Sequence, residues 1–133
     1  MRKIVIASSA KFYKEALELK EKLENMDYDV IDYPKNINVN IEEEYKEAYE
    51  KFYDNVSITD DLILLNLDKN GIEGYIGYES FAELSNLVVK KIQEDNNHKI
   101  YIYKMPSKEV GCYDEINHFL KLGYIELFKR EVI

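Results

Sequence analysis

Short apolar runs alternate with longer amphipathic stretches along the whole chain. The apolar runs are rich in β-branched and aromatic residues, and they predict five strands at residues 3–7, 28–33, 62–67, 99–103 and 124–128. The first and third runs have no polar alternation, which is typical of strands covered on both faces. Pro34 closes the second run, as expected for an outer strand of a sheet.

The stretches between these runs carry apolar residues at helical spacing. The Ser8-Ser9 pair offers an N-cap for a first helix that is predicted to extend to Asp27. Three more helices are predicted around residues 41–56, 81–92 and 113–122. In the second helix, we interpret a stripe of apolar and aromatic positions as a packed face: Ile41, Tyr45, Ala48, Tyr49, Phe52, Tyr53 and Val56.

This alternation of strand and helix predicts the fold class. Right-handed crossovers impose a parallel sheet with helices on both faces. We therefore predict one α/β domain over residues 1–133, with a flavodoxin-like three-layer fold and a five-stranded parallel sheet in the order 2-1-3-4-5. Ligands of such sheets bind beyond the carboxyl ends of the strands where the order reverses. Here those ends are Ala7-Ser8-Ser9 and the segment from Asp68 onward.

Composition narrows the ligands and the location. The formal net charge of -8 over 133 residues argues against polymeric nucleic acid, which needs a basic face. A small phosphate group is still compatible, because backbone N–H groups at a helix start can bind it. The N-terminal apolar run is too short for a signal peptide, and no run approaches a membrane span, so we expect a cytoplasmic protein without membrane contact.

The common cofactor and metal signatures are missing. The first strand-to-helix turn has no glycine and the chain has no P-loop, so we predict no NAD, FAD or other cofactor. Cys112 is the only cysteine, and His98 and His118 have no ligand-type spacing, so we predict no metal. We interpret His98 as a solvated loop residue.

The segment at residues 68–83, with the sequence DKNGIEGYIGYESFAE, contains most of the candidate chemistry. Its glycines allow close approach of the backbone to a ligand, its tyrosines offer flat faces for a base or sugar, and its carboxylates collect at a helix start. The candidate ligand-binding residues at the two strand ends are Ser8, Ser9, Asp68, Glu73, Tyr75, Gly77 and Tyr78.

The same segment resembles small uncharacterised relatives of the nucleoside 2-deoxyribosyltransferase family. The likeness lies in the pattern G-I-x-x-Y-I-G-x-x-S-F-x-E at residues 71–83, followed by a helix and the strand KIYIY. The start IVIASS, Asp61 before the third strand and the sequence YDEI at residues 113–116 are similar too, so the likeness spans nearly the whole chain.

The resemblance implies a reaction and a nucleophile. In enzymes of that family a glutamate at the start of the third crossover helix attacks C1′ of a deoxyribose and displaces the base. A carboxylate suits this chemistry because it can trap or stabilise an oxocarbenium-like state. Glu83 falls on that glutamate, with Glu79 as the alternative, and we expect the helix N-terminus to keep Glu83 ionised. The chain departs from the family at Ser85 and Leu87, where glycine and a small residue are usual.

The resemblance also implies partners for the glutamate. Asp61 falls on a family aspartate and is the expected acid that protonates the departing base, with Glu73 and Asp68 as alternatives. Ser9 would hold the sugar or phosphate end. Enzymes of the family complete their sites across subunits, so a homodimer or higher homo-oligomer is expected.

Three classes of function follow. The first is cleavage of an N-glycosidic bond, or deoxyribosyl transfer, on a nucleoside or nucleotide with a glutamate nucleophile. The second is a non-catalytic module that binds a nucleotide-like ligand, and the third is an interaction protein that kept the fold. A structural role for Glu83, as acceptor of hydrogen bonds from the 74–77 loop, is the alternative to its catalytic role.

Overall fold

Five parallel strands form one sheet in the order β2-β1-β3-β4-β5 in the computed structural model, which describes residues 1–35, 41–94 and 97–128. The strands are β1 (Arg2–Ala7), β2 (Tyr28–Asp32), β3 (Asp61–Leu64), β4 (Lys99–Ile102) and β5 (Glu126–Leu127). β1 and β3 pair in parallel, with Ile4 opposite Asp61 and Ala7 opposite Leu64. The predicted flavodoxin-like α/β fold and strand order are confirmed.

Four helices in the described part of the chain cover the sheet. They are α1 (Tyr13–Asn25), which a short 3-10 turn at Ala10–Phe12 precedes, α2 (Ile41–Ile58), α3 (Tyr78–Glu94) and α4 (Tyr113–Lys121). Successive residues of β1 point to opposite faces, so Ile4 and Ile6 pack beneath α1 while Val5 and Ala7 pack with residues of α2 and α3. The sheet therefore separates two apolar cores.

The third strand is shorter than predicted. The apolar run continues to Leu67, but the strand ends at Leu64 because the buried Asn66 side chain binds the backbone that follows β4. Asn66 Oδ1 accepts hydrogen bonds from the N–H groups of Tyr103 at 2.9 Å and Lys104 at 3.2 Å. Within the described residues, β5 is also shorter than predicted, and its two residues pair with Tyr101 and Ile102 of β4.

The interpretation of His98 as a solvated residue is wrong. The residue is 8% exposed, and its Nδ1 lies 2.7 Å from the carbonyl oxygen of Asp60. His98 therefore packs against the loop that enters β3 and is not a solvated loop residue. Among the described residues, no helix combines the length and the apolar character that a bilayer crossing needs.

Candidate active site

A cavity of about 120 Å³ opens at the carboxyl ends of β1 and β2, between α2 and the start of α3. This is the edge at which doubly wound sheets bind ligands. The described residues that line it are Ser8, Ala10, Asp32, Tyr33, Pro34, Lys35, Tyr45, Ala48, Tyr49, Phe52, Glu79 and Glu83. Of the residues predicted for the site, only Ser8, Glu79 and Glu83 are among them.

Glu83 is the most buried carboxyl group contributed by α3, with 9% of its surface exposed. Burial, together with the smaller effects of the neighbouring Glu79 and Asp32 charges, raises the pKa of this carboxyl to about 8. Glu83 therefore carries a proton at neutral pH. The expectation that the helix N-terminus keeps it ionised is wrong, because Glu83 lies in the second turn of α3, where the dipole has faded.

Glu79 lies one helical turn before Glu83 and lines the same cavity. It is exposed, and the Tyr45 hydroxyl of α2 donates a hydrogen bond to its Oε1. The i, i+4 spacing places the two carboxyl groups on one face of α3. Glu83 and Glu79, which the sequence gave as alternatives for one role, are therefore neighbours in one cavity.

Asp32 is a carboxylate that the sequence analysis missed. It is the last residue of β2 and is only 4% exposed. Its Oδ1 accepts from the Tyr33 N–H at 2.8 Å and lies 3.5 Å from Lys35 Nζ, while its Oδ2 accepts from Asn55 Nδ2 at 2.8 Å. Strand parity would have placed Asp32 on the face of Val30, beneath α1, but a register shift in the pairing of β1 with β2 sets Asp32 opposite Val5, which faces α2 and α3. The local sequence pattern therefore gave no signal for this residue.

Tyrosine rings form the α2 wall of the cavity. Tyr45 and Tyr49 stack with ring centroids 5.8 Å apart and are 40% and 38% exposed. On the opposite side, Lys35 Nζ lies 3.4 Å from the centroid of the Tyr33 ring. The interpretation of the α2 stripe as a packed face holds for buried Phe52 but is wrong for Tyr45 and Tyr49.

The two serines after β1 have different environments. Ser8 lines the cavity, and its hydroxyl donates to the Leu65 carbonyl at 2.7 Å. Ser9 caps the 3-10 turn by accepting from the Lys11 N–H at 3.3 Å, and Lys69 Nζ lies 3.4 Å from the same oxygen. Ser9 is therefore a helix cap beside the cavity, in agreement with the interpretation of the Ser8-Ser9 pair as an N-cap.

Asp61 does not belong to this site. As the first residue of β3 it lies at the amino edge of the sheet, three strand positions or about 10 Å before Leu64. It is fully buried and accepts from Arg2 at 2.5 and 2.9 Å and from the Lys99 N–H at 3.0 Å. The expectation that Asp61 joins Glu83 and Ser9 as the acid is wrong, since its carboxylate is saturated with donors at the opposite edge.

The two alternative acids also lie outside the cavity. Lys104 forms an ion pair with Asp68 at 2.9 Å and lowers the pKa of that carboxyl, which makes Asp68 a poor proton donor. Glu73 is exposed on the loop, and its backbone carbonyl accepts from the Ser107 N–H. Neither side chain contributes to the described lining.

Three further predicted residues line a second cavity instead. Tyr75, Gly77 and Tyr78 face Val110 and Gly111 around a space of about 100 Å³. Tyr78 is 86% exposed. The segment at residues 68–83 therefore contributes Glu79 and Glu83 to the first cavity and Tyr75 and Tyr78 to the second.

The loop is shaped by residues other than Glu83. The Gly74 N–H donates to Asp68 Oδ1 at 3.0 Å, and its carbonyl accepts from Asn66 Nδ2 at 3.2 Å. Within the described residues, Glu83 accepts none of the loop's hydrogen bonds, so the proposed structural role of Glu83 has no support there. The two positions that depart from the family pattern lie outside the cavity that Glu83 lines. Leu87 is in the core, and Ser85 lines a groove between α2 and α3.

Comparison of the chain with protein-family models, curated proteins and solved structures yields no match. Among the described residues, no group of three or more His, Cys, Asp and Glu side chains is arranged to hold a metal ion. The chemistry available at the cavity is therefore carboxyl chemistry: a protonated Glu83, the donor-bound Asp32 and the exposed Glu79, beside a tyrosine wall.

Proposed function

We propose that the cavity binds a nucleoside or nucleotide and that Glu83 acts as nucleophile in cleaving its N-glycosidic bond, with transfer of the glycosyl group to water or to another base. The observation that supports this proposal most is the buried Glu83 carboxyl, which faces two other carboxyl groups in a cavity with an aromatic wall. Burial of a carboxyl group is costly and needs a specific reason. Enzymes that cleave glycosidic bonds use pairs of carboxyl groups, which supplies such a reason.

The lining suits both halves of a nucleoside. The exposed faces of Tyr45 and Tyr49 offer stacking surface for a planar base. The Glu83 carboxylate, once ionised, is able to attack or stabilise C1′ as positive charge develops on the sugar. The resemblance to the nucleoside 2-deoxyribosyltransferase family, which rests on the pattern at residues 71–83, points to the same chemistry.

The raised pKa of Glu83 requires a proton acceptor before the attack. Glu79 is one turn away in the same cavity and is our candidate for that acceptor. In this scheme the proton passes from Glu83 to Glu79, and a Glu83 oxygen forms a bond to C1′. The C1′–N bond then breaks, its electron pair goes to the base nitrogen, and Glu79 returns the proton to that base.

The second half of the scheme restores the protein. Water or the nitrogen of an incoming base attacks C1′, the bond between C1′ and the Glu83 oxygen breaks, and Glu83 regains its carboxylate electron pair. The proton that the attacking group loses returns to the pair of carboxyl groups. No co-reactant other than water or a second base is needed.

Paired variants test the proposal. Wild type, Glu83→Gln and Glu79→Gln are incubated with a panel of nucleosides and 5′-nucleotides, base release is followed by chromatography, and a glycosyl adduct is sought by intact mass. Glu83→Gln should lose turnover by orders of magnitude and form no adduct, because an amide cannot attack C1′. Glu79→Gln should retain part of the wild-type rate.

One result would contradict this assignment. Full turnover in Glu83→Gln together with loss in Glu79→Gln would identify Glu79 as the nucleophile. Asp29→Asn is the matched control, since Asp29 is exposed on the strand that carries Asp32, and it should behave as wild type.

A binding module without turnover is the second candidate, and the protonated Glu83 also favours it. A neutral carboxyl group is able to donate a hydrogen bond to a base without any bond cleavage. In that case nucleosides raise the melting temperature of the wild type while no base is released, and Glu83→Gln alters only affinity.

A further inference from the structure

We propose that Asp32 is the sugar-binding carboxylate of this site and accepts one hydroxyl group of the ligand through Oδ2. This inference rests on the proposed function, because it assumes that the ligand in the cavity carries a sugar. Asp32 ends β2 and lines the cavity together with Glu83 and Glu79.

When donors among the described residues are counted, the Asp32 carboxylate has one acceptor position left. A carboxylate offers about four lone-pair positions, two on each oxygen. Oδ1 receives the Tyr33 N–H at 2.8 Å and the Lys35 ammonium at 3.5 Å, and Oδ2 receives Asn55 Nδ2 at 2.8 Å. The remaining position on Oδ2 fits a single donor, which selects one hydroxyl group.

Charge limits what Asp32 is able to accept. An ionised carboxylate is an acceptor only, so its partner must donate a hydrogen bond. The Asp32 and Glu79 carboxylates oppose a phosphate group at this position, and the Lys35 ammonium of the lining already lies 3.5 Å from Asp32 Oδ1. Asp32 and Glu83 line the same cavity, and the Asp32 charge contributes to the raised pKa of Glu83. A hydroxyl group of the sugar whose C1′ reacts with Glu83 satisfies both conditions.

Asn55 is a positioning residue in this arrangement. It lies on α2, and its Nδ2 donates to Asp32 Oδ2 at 2.8 Å and lies 3.4 Å from the Ile31 carbonyl. These contacts fix the plane of the carboxylate relative to α2. Asn55 itself is absent from the described lining, so it acts on the ligand only through Asp32.

Deoxy analogues test the assignment directly. Dissociation constants are measured by calorimetry in a Glu83→Gln background, which prevents turnover, for the parent nucleoside and for its 3′-deoxy and 5′-deoxy analogues. One of the two analogues should bind about ten- to hundredfold more weakly than the parent, the usual value of a hydrogen bond to a charged group. Adding Asp32→Asn should weaken the parent by a similar factor and leave that analogue unchanged.

The control and the positioning variant sharpen the result. Asp29→Asn, on the same strand but exposed, should leave every dissociation constant unchanged. Asn55→Leu should reduce the difference between parent and analogue, an effect that a purely structural role would not produce, since lost stability lowers the bound fraction of both ligands equally. If Asp32→Asn fails to fold, the comparison of parent and analogues in the protein that keeps Asp32 still tests the proposal, because equal affinities would overturn it.

The outcomes separate the two proposals. Equal affinity for all three ligands in the Asp32-containing protein, or an unchanged difference in Asp32→Asn, overturns the role of Asp32 while leaving base release by the wild type intact. Binding that depends on the hydroxyl group and on Asp32, without base release by the wild type, supports Asp32 and overturns catalysis. Absence of nucleoside binding overturns both.

Discussion

Glu79 and Glu83 lie one turn apart on α3 and line the same cavity, but they differ in exposure and in hydrogen bonding. Glu79 is exposed and accepts from the Tyr45 hydroxyl, whereas Glu83 is 9% exposed. Burial and the adjacent carboxylates raise the pKa of Glu83 to about 8. The proton that the pair holds at neutral pH therefore lies on the buried member.

The first prediction is a loss of stability with rising pH. The pKa of Glu83 is about 8 in the folded protein and near its usual 4.5 when unfolded. Between these values the folded state binds more protons, so the free energy of unfolding falls as pH rises, by up to about 1.4 kcal/mol per pH unit. Urea titrations of wild type and Glu83→Gln should agree near pH 5, and the variant should be more stable by a few kcal/mol near pH 9.

The control for this experiment is Glu18→Gln, which removes an exposed glutamate of α1. It should leave the slope of stability against pH as in the wild type. Parallel pH profiles for wild type and Glu83→Gln would contradict a buried, protonated Glu83.

The second prediction concerns the pH dependence of turnover. If Glu83 attacks and Glu79 carries its proton to the base, the active form of the free protein is the pair with one proton. The value of kcat/KM should then fall above about pH 8, as that proton is lost. In Glu79→Gln the proton acceptor is missing, so Glu83 must ionise first and kcat/KM should rise with pH instead. A rising profile in the wild type would show that the pair does not supply the proton.

The sequence predicted the fold because its signals are local and repeated. Each strand and helix carries its own periodicity, and the right-handed crossover then leaves few topologies. The ends of β3 and β5 were the exceptions. In β3 the apolar run continues past the strand, and only the position of Asn66 beneath the turn after β4 decides where the pairing stops.

The site was predicted less well because its residues come from distant parts of the chain. Asp32 and Tyr45 meet Glu83 only when β2, α2 and α3 come together, and local patterns show them as a strand end and a packed stripe. The i, i+4 spacing of Glu79 and Glu83 was readable, and both line the cavity. Asp61 could have been rejected from sequence, since a residue before a parallel strand lies at the edge opposite the ligand.

The third prediction follows from the placement of Asp61. Arg2→Met removes the guanidinium from a fully buried carboxylate and should lower the free energy of unfolding by about 2 kcal/mol, less than for a fully buried ion pair because the Arg2 side chain is 41% exposed. Turnover per folded molecule should not change, because this pair lies at the amino edge. Lys99→Met, at the same edge but exposed, should cost less than about 0.5 kcal/mol. Loss of kcat in folded Arg2→Met would restore Asp61 as a candidate acid.

The last prediction tests how the loop between β3 and α3 is held against the turn after β4. Gly74 has φ +62°, and a Cβ there would lie 2.8 Å from the Met105 carbonyl oxygen and 2.9 Å from Pro106 Cα. Both atoms are backbone, so the loops must separate to accommodate a methyl group. Gly71 also has positive φ, at +79°, but a Cβ there meets nothing within 4 Å.

The two glycines therefore form a matched pair. Gly71→Ala should cost only the left-handed backbone penalty, about 1 kcal/mol, whereas Gly74→Ala should cost about 3 kcal/mol because the clash adds to that penalty. Urea denaturation of both variants gives the difference. Since the same loop leads directly into the turn that presents Glu79 and Glu83, Gly74→Ala should also weaken nucleoside binding in its folded fraction, while Gly71→Ala should not. Equal losses of stability in the two variants would show that the contact with Met105 and Pro106 does not hold the start of α3 in place.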